Sequence, residues 1–273
     1  MLRKFMILLT CLTASGAGAQ EEGGGDLRAA TQNPISSLVS LPFKFTFDNG
    51  APNGDANFLN IQPVYPVTVG DWNLVSRMIV PLTEAPGGVA GLPDNPGLGQ
   101  GGGGRTFGLG DINYSLFLNP VETQGSLIWG VGGSITAPTA TDNRLGSGKW
   151  SAGPTVVGLV QPSWGTYGML ARQLWSFAGP SNRRDVNQSL IEPFVNYNLD
   201  NGWYLISDSV ITVDWQIDEG DKVTLPVGGG FGRIFKIGDQ AMNARVEAYY
   251  NAIRPDAGPD WTIGATLQFL FPR

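Results

Sequence analysis

The sequence predicts an all-β protein, an antiparallel transmembrane β-barrel of twelve strands with both termini on the periplasmic side. Three observations support this prediction. Twelve segments of about barrel-strand length alternate apolar with polar residues. The connections between them alternate short turns with longer loops, as in bacterial outer-membrane barrels. The chain has 39 Gly, 10% aromatic and only 15% charged residues, where soluble domains average about 25% charged.

The clearest of the twelve segments is the last, 260–271. Its odd positions from Trp261 to Phe271 are apolar, and most of its even positions are small or polar. Prolines inside several segments oppose the prediction, because a central strand tolerates them poorly; examples are Pro63, Pro193 and Pro226. The other predicted strands are 39–48, 58–69, 72–82, 107–118, 126–137, 150–161, 166–178, 187–199, 203–215, 222–237 and 241–253.

The connections carry the strongest signal. After the even-numbered strands they are short: 70–71, 119–125, 162–165, 200–202 and 238–240. After the odd-numbered strands they are generally longer and rich in Gly, Pro and Asp: 49–57, 83–106, 138–149, 179–186, 216–221 and 254–259. The longest, 83–106, either folds over the mouth of the barrel or is disordered at its surface. A soluble β-sandwich has no reason to segregate loop lengths in this way.

Energetics selects which face of each strand points to lipid. A basic residue near mid-membrane costs about 2–4 kcal/mol, so the apolar faces should point outward and the polar faces into the lumen. Two strands leave the register open: Arg172 shares a face with two leucines, and Arg233 shares one with two phenylalanines near a Gly228–Gly230 bulge. The predicted lumen-lining residues are Lys44, Arg77, Asp111, Arg172, Glu192, Asp208, Asn243, Arg245 and Glu247.

Aromatic residues cluster near the predicted strand ends. Trp and Tyr prefer the boundary between membrane and water, so they predict an interfacial girdle and no ligand site. The residues are Trp72, Trp150, Trp164, Trp175, Trp203, Tyr204, Trp215 and Trp261.

The first residues predict export. Arg3 and Lys4 precede a short apolar run and the small residues Ala17-Gly18-Ala19, so residues 1–19 resemble a signal peptide cleaved after Ala19. Residues 20–38 are expected to form a flexible periplasmic segment, either a disordered tail or a stretch that reaches into the lumen. Residues 39–273 form the predicted barrel, which is expected in the bacterial outer membrane.

The composition argues against several function classes. The chain has no histidine, which removes Ser-His-Asp and Cys-His catalysis and His-based metal sites. Its net charge of −6 gives no support to nucleic-acid binding. A carboxylate-only enzyme using Asp208, Asp214 or Glu192 is far less favoured than polar lumen groups paired with arginines. We therefore expect no enzyme, no cofactor and no metal site.

The closing segment resembles the last strand of bacterial outer-membrane barrels. In those proteins this strand pairs with the first, and its terminal Phe is recognised by the insertion machinery. The resemblance implies that Phe269 and Phe271 form an insertion signal and that the insertion machinery is a partner. Pro272 and Arg273, which follow here, depart slightly from the usual ending.

Longer stretches resemble one family of proteins. They are the P-T-A-T and G-S-G-K-W elements within 134–154, the stretch 186–199, N-G-W-Y at 201–204 and R-P-D-A-G-P-D-W at 254–261. Together they resemble the outer-membrane proteins grouped under the meta-pathway of phenol degradation, over roughly residues 107–272. The resemblance implies a transporter-like barrel and the passage of small organic molecules. It carries over no functional residues.

Two functions follow from a twelve-stranded barrel. Barrels of about eight strands are filled by their own side chains and those of 16–18 strands hold an open channel, so a pore here should be narrow. The leading hypothesis is a channel for small organic solutes, aromatic or hydrophobic ones among them. The alternative is a plugged structural or surface-interaction barrel without transport. Both have the lipid bilayer and lipopolysaccharide as partners.

Overall fold

The structure is a computed structural model that describes residues 24–86, 104–122, 125–217, 220 and 222–272. The predicted signal peptide, most of the 83–106 loop and Arg273 lie outside these residues. The described elements are α1 Gly24–Gln32, β1 Val39–Asn49, β2 Ala56–Ile61, β3 Val64–Val69, β4 Trp72–Ala85, β5 Thr106–Leu109, β6 Ile112–Pro120, β7 Leu127–Ala137, β8 Trp150–Val160, β9 Gly165–Ala178, β10 Asn187–Asn198, a 3-10 turn Asp200–Gly202, β11 Trp203–Asp208, β12 Ile211–Asp214, β13 Val223–Ile237, β14 Gln240–Ile253 and β15 Trp261–Phe271.

The fifteen segments form one closed antiparallel barrel of twelve strands, as the sequence predicts. Three barrel strands are each broken into two segments: β2 with β3, β5 with β6, and β11 with β12. The barrel closes where β1 pairs with β15, from Val39↔Phe271 to Asn49↔Trp261. Closure leaves no sheet edge with unpaired backbone groups, which is the condition for a sheet to cross a membrane.

Prolines explain two of the breaks. The break between β2 and β3 lies at Gln62-Pro63. The break between β11 and β12 faces Pro193, because the pairs of β10 with these segments end at Phe194↔Asp208 and resume at Ile191↔Ile211. On the other side of that break, β13 shifts register at Leu225/Pro226. Since proline has no N–H to donate, these residues lie where the hydrogen-bond ladder is already interrupted.

The structure defines the register of β9 and β13, the two strands for which the sequence leaves it open. In β9, Arg172, Leu170 and Leu174 all face inward, with exposures of 7%, 6% and 1%. In β13 the register shift lies at Leu225/Pro226 and not at Gly228–Gly230. Arg233 therefore stays on the outer face, where its guanidinium lies 5.4 Å from the ring centroid of Trp203.

The outer surface of the barrel is apolar and the inward faces are mixed. Phe45 and Phe47 on β1 are exposed, whereas Thr46 and Asp48 between them are buried, which is the predicted orientation. The girdle tryptophans are exposed on the outside, but Tyr204 is only 2% exposed and faces inward. Within the part of the chain that the structure describes, no helix is long and apolar enough to span a membrane.

Of the predicted segment 20–38, the structure describes residues 24–38, and these pack against the inner side of the barrel. From Gly24 the chain forms α1 and then a turn, and it closes the barrel at the end with the short turns. We call residues 24–38 the N-terminal plug. Its backbone and side chains are held by hydrogen bonds between Arg28 and Leu199 O (2.8 Å), Gln161 and Ala29 O (2.8 Å), Thr166 and Gln32 (2.8 Å), and Gln32 and Asn198 (3.0 Å).

Candidate functional site

The lumen contains a cavity of about 160 Å³ directly above the N-terminal plug. Thr31, Gln32 and Pro34 of the plug line one end of it. Side chains from β1, β3, β4, β9, β10, β11, β14 and β15 form its walls, together with Gln62 between β2 and β3. Six of the nine predicted lumen residues line this cavity: Lys44, Arg77, Glu192, Asp208, Asn243 and Arg245.

Arg245 is the centre of a buried ion-pair network on one wall. Its Nη2 lies 2.9 Å from Asp208 Oδ2, and its Nε lies 3.0 Å from Glu247 Oε2. The Tyr249 hydroxyl donates to Glu247 Oε1 over 2.9 Å and accepts the Asp208 amide over 2.9 Å. Two carboxylates thus surround one guanidinium, so the charge of Arg245 is fully matched. Glu247 itself is buried in this network and is not among the residues that line the cavity.

Tyr204 extends this network across the barrel wall. Its hydroxyl donates to Asn243 Oδ1 over 2.7 Å, and its ring crosses β13 at Gly232. A Cβ on Gly232 would lie 2.4 Å from the Tyr204 ring, so only glycine leaves room for this crossing. Because it lies beside Trp203 at a strand end, the sequence pattern assigns Tyr204 to the interfacial girdle; its inward position follows from the alternation of side chains along β11.

Lys44, Gln62 and Arg77 line the cavity on the far side of β15 from Arg245. Lys44 and Arg245 both pair with Thr266 of β15. The Arg77 Nη2 donates to Gln62 Oε1 over 3.2 Å, which leaves the Gln62 amide nitrogen as a donor. That nitrogen is buried and has no hydrogen-bond partner among the described residues. Lys44 makes no salt bridge to any residue that the structure describes. This part of the cavity therefore presents a hydrogen-bond donor, the Gln62 amide, that no described residue uses.

The other side of the lumen is apolar. Ile35 of the plug is completely buried against a cluster of inward-facing side chains. A Cβ on Gly130 would lie 3.0 Å from Ile35 Cδ1, so this glycine makes the space that Ile35 fills. The cluster members are Ile35, Val75, Phe117, Val157, Leu159, Leu170 and Leu190, with Val64, Ile128, Phe194 and Val210 packed against them.

Arg172 and Asp111 lie outside the cavity. Arg172 is buried in the lumen, where its Nη1 donates to Asn113 Oδ1 over 3.3 Å. Asn113 also donates to Ser134 and Thr136 over 2.9 Å each. Asp111 lies at the end with the long loops and accepts hydrogen bonds from the Ser147 amide (2.7 Å), the Ser147 hydroxyl (2.8 Å) and the Ala140 amide (3.1 Å). Burial raises the pKa of Asp111, and these hydrogen bonds oppose that shift.

Asp111 anchors loop 138–149, and loop 179–186 is bound to loop 138–149 in turn. We call these two loops the loop cap. Arg183 holds the first loop by donating to the carbonyls of Ser147 (3.0 Å), Asn143 (2.8 Å) and Gly146. Lys149 Nζ pairs with Asp185 Oδ1 at 2.9 Å. Leu145 is completely buried among Ala56, Phe58 and Ala85. The described parts of the protein thus narrow the lumen at both ends.

The predicted insertion residues lie at the closing seam. Phe271 pairs with Val39 and is 42% exposed on the outer face. Phe269 makes an edge-to-face contact with Phe43, with ring centroids 6.1 Å apart. Between them Leu270 is buried against Leu38 and Ala241.

The lumen cavity combines charged and apolar side chains. Among the described residues no group of three or more Asp, Glu, Cys or His side chains could hold a metal ion. The charged residues of the cavity face apolar residues across a space large enough for a few water molecules, at about 30 Å³ each, or for one small ligand. Gln62, Tyr204 and Tyr249 were not predicted as site residues. Tyr204 has the signature of a girdle residue, whereas Gln62 and Tyr249 lie on the inward faces of predicted strands without a charge to single them out.

Comparisons with known proteins support the fold. No family model matches the chain, and no curated protein matches its sequence. Among solved structures, the chain is similar to an outer membrane channel from Pseudomonas putida F1, with a TM-score of 0.60 and 16% identity over 90% of this chain and 98% of that one.

Two further solved structures are similar over most of their length. One is the CymD monoaromatic hydrocarbon channel, with a TM-score of 0.46 and 10% identity over 92% of each chain. The other is outer membrane phospholipase A from Escherichia coli, with a TM-score of 0.43 and 10% identity over 91% of this chain and 98% of that one. Scores this low carry no argument about fold or function. The Pseudomonas similarity shows that the chain has the barrel fold of bacterial outer-membrane proteins.

Proposed function

We propose that the protein is an outer-membrane channel for small organic solutes. The observation that carries the proposal is the lumen cavity of about 160 Å³, which charged side chains and apolar side chains line together. A lumen that served only to hold the barrel together would not need a cavity with a donor unused by the protein, because an unpaired buried polar group costs stability. The structural neighbour from Pseudomonas putida F1 is described as an outer membrane channel, which supports the same proposal.

The apolar wall bears on the class of solute. Residues such as Leu170, Phe194 and Ile206 offer no hydrogen bonds and would favour the apolar part of a passing molecule. This agrees with the resemblance to the family of the phenol meta-pathway, which implies passage of small organic molecules. Aromatic or hydrophobic solutes are therefore the class that we propose.

A plugged structural barrel is the second candidate, and the ion pairs of Arg245 favour it. They join β14 to β11 inside the barrel. They also fix the positions of side chains that would have to move for a wide pore to open. The N-terminal plug favours the channel, however, because it is a separate element that the barrel strands do not require. Four hydrogen bonds and the burial of Ile35 hold it. If the N-terminal plug left the lumen, each of its residues would regain conformational entropy worth about 1–2 kcal/mol. This gain offsets much of the free energy of the contacts that hold the plug.

Removing the plug distinguishes the two candidates. We expect purified wild-type protein to give small conductances in planar bilayers, and a variant lacking residues 24–37 to give larger ones, because the floor of the cavity is removed. Liposomes containing each protein should take up benzyl alcohol in the same order. A matched control is Arg28→Ala, which removes one exposed hydrogen bond to Leu199 and should behave almost as the wild type. If neither wild type nor deletion variant conducts, the lumen is plugged by its own walls and the structural barrel is the better account.

A further inference from the structure

Arg233 is a basic residue on the outer face of the barrel. It is exposed on β13 together with Phe231, and it pairs with the exposed Trp203 of β11. Side chains of a strand point alternately to its two faces, and the other basic residues of the described strands lie at inward-facing positions: Lys44, Arg77, Arg172, Lys236 and Arg245. Along the part of the barrel that the structure describes, Arg233 is thus the basic side chain that meets the membrane.

Arg233 lies close to the end of the barrel with the short turns. Its Nε donates to Asn201 O over 3.2 Å, and Asn201 lies in the turn that joins β10 to β11. In outer-membrane barrels the short turns face the periplasm, and Trp side chains such as Trp203 prefer the level of the lipid head groups. The guanidinium therefore lies at the level of the phosphate groups of the periplasmic leaflet.

Two contacts hold this guanidinium in place. Its Cζ lies 5.4 Å from the centroid of the Trp203 ring, and its Nε is held by Asn201 O. The Trp203 ring packs in turn against Phe231, with ring centroids 6.0 Å apart. On its other side Arg233 pairs with Ala244, which is too small to cover the guanidinium. The cation is therefore held at the surface beside two aromatic rings.

No described carboxylate neutralises this cation. Arg233 takes part in none of the salt bridges that the described residues form, although Asp200 and Asp239 lie in the turns at the same end. Its Nη1 and Nη2 make no hydrogen bond within the described chain either. A guanidinium with both terminal nitrogens available binds a phosphate group through two parallel hydrogen bonds.

We propose that Arg233, Trp203 and Phe231 form a binding site for an anionic phospholipid of the periplasmic leaflet. The guanidinium binds the phosphate, and the two rings lie against the glycerol and the first methylene groups of the acyl chains. Phosphatidylglycerol fits the site better than phosphatidylcholine, because its head group has no cation that competes with the guanidinium for the phosphate. The site lies outside the lumen, so it does not depend on the proposed channel.

Native mass spectrometry of the purified protein in detergent tests the proposal, with dioleoyl phosphatidylglycerol as the probe and dioleoyl phosphatidylcholine as the comparison. We expect the first phosphatidylglycerol to bind the wild type with a dissociation constant roughly fivefold lower than that of the first phosphatidylcholine. Arg233→Gln should weaken phosphatidylglycerol binding by about the same factor, because it removes the charge-assisted pair. Arg233→Lys should fall between the two, since an ammonium keeps the charge without the planar fork.

Lys236→Gln is the matched control. It removes one positive charge from the same strand and the same end of the barrel, but Lys236 pairs with Ala241, which is buried against Leu38 on the inner side. We expect this variant to bind phosphatidylglycerol like the wild type.

Three results would overturn the proposal. The wild type could bind the two lipids equally, Arg233→Gln could bind phosphatidylglycerol like the wild type, or Arg233→Gln and Lys236→Gln could weaken binding equally, which would assign it to overall charge. The comparison of the two lipids uses the wild type alone, so it stands even if a variant does not assemble.

Discussion

At the residue scale, Arg245 shows how the lumen combines charge with stability. The sequence places Arg245, Asp208 and Glu247 on inward faces but does not reveal that they contact one another. In the structure the guanidinium bridges both carboxylates, whose side chains are 9% and 3% exposed. A buried pair of this kind adds little net stability, but removing one partner leaves uncompensated charge. Arg245 is therefore a structural residue as well as a lumen residue.

The first prediction concerns this network. Arg245→Met should destabilise the barrel by about 3–5 kcal/mol, because it leaves two buried carboxylates without their cation. Arg245→Glu should destabilise the barrel further, since it adds a third carboxylate. Because both variants change the stability of the barrel, neither can be used to measure ion preference alone. The measurement is the fraction of protein that keeps the fast-migrating folded form on SDS gels as the temperature rises.

Arg233→Met is the control for that experiment. It makes the same substitution at an exposed arginine over Trp203, where a cation–π contact contributes about 0.5–1 kcal/mol. If Arg245→Met unfolds at the same temperature as Arg233→Met, the ion-pair network does not stabilise the barrel and the arginine is free to serve permeation alone.

At the scale of elements, the loop cap depends on an ion pair that acid should break. The hydrogen bond from Lys149 lowers the pKa of Asp185, and the pair joins loop 179–186 to loop 138–149. A carboxyl whose pKa is lowered in the folded state stabilises that state at pH values above its ordinary pKa of about 4, and the stabilisation is lost as pH falls through the lowered value. Loop 179–186 should therefore be held more tightly at neutral pH than in strong acid, where the hydrogen bonds of Arg183 remain.

A fluorophore on a cysteine introduced at the exposed Ser181 measures this loosening. The anisotropy of the wild-type background should be high at neutral pH and should fall below about pH 4. Asp185→Asn should have low anisotropy throughout, because the amide cannot form the ion pair. Asp142→Asn, which removes a different loop ion pair with Arg144, should retain the transition. A transition that survives Asp185→Asn would assign the pH response to another group.

At the scale of the whole molecule, the barrel follows from the sequence and the contents of its lumen do not. Period-two alternation and the segregation of loop lengths are local signals that define twelve strands. The alternation is visible in the sequence because successive residues of a barrel strand face lipid and lumen in turn. The N-terminal plug has no such signal. Its helix is short and begins in glycines, and its contacts with Gln161, Thr166 and Asn198 lie more than a hundred residues along the chain.

The candidate site divides in the same way. Alternation along the strands is sufficient to propose Lys44, Arg77 and Glu192 as inward residues, because each lies between outward-facing apolar positions. It also places Gln62 on the inward face with Asn60, but it cannot show that the Gln62 amide nitrogen lacks a partner among the described residues. Tyr204 faces inward by the same alternation, and its place beside Trp203 at a strand end is what assigns it to the girdle. The pairing of charges across the lumen is a property of closure, which brings together strands that are distant in sequence.

Closure itself gives the last prediction. Deleting residues 269–273 removes three β1–β15 pairs and Leu270, which packs against Leu38 and Ala241, so most of the protein should fail to assemble and be degraded. Deleting only Pro272 and Arg273 should have almost no effect, because the β1–β15 pairing ends at Phe271. The measurement is the amount of heat-modifiable protein in the outer-membrane fraction.

Phe271→Ala separates recognition from closure in that experiment. It keeps every backbone pair and removes only a ring that is 42% exposed, so its loss costs little packing. We propose that this ring is part of the insertion signal, and we expect Phe271→Ala to assemble several-fold more slowly than the wild type while reaching the same thermal stability once assembled. Assembly at the wild-type rate would show that the last strand acts through closing the barrel against β1 and not through recognition of its terminal phenylalanine.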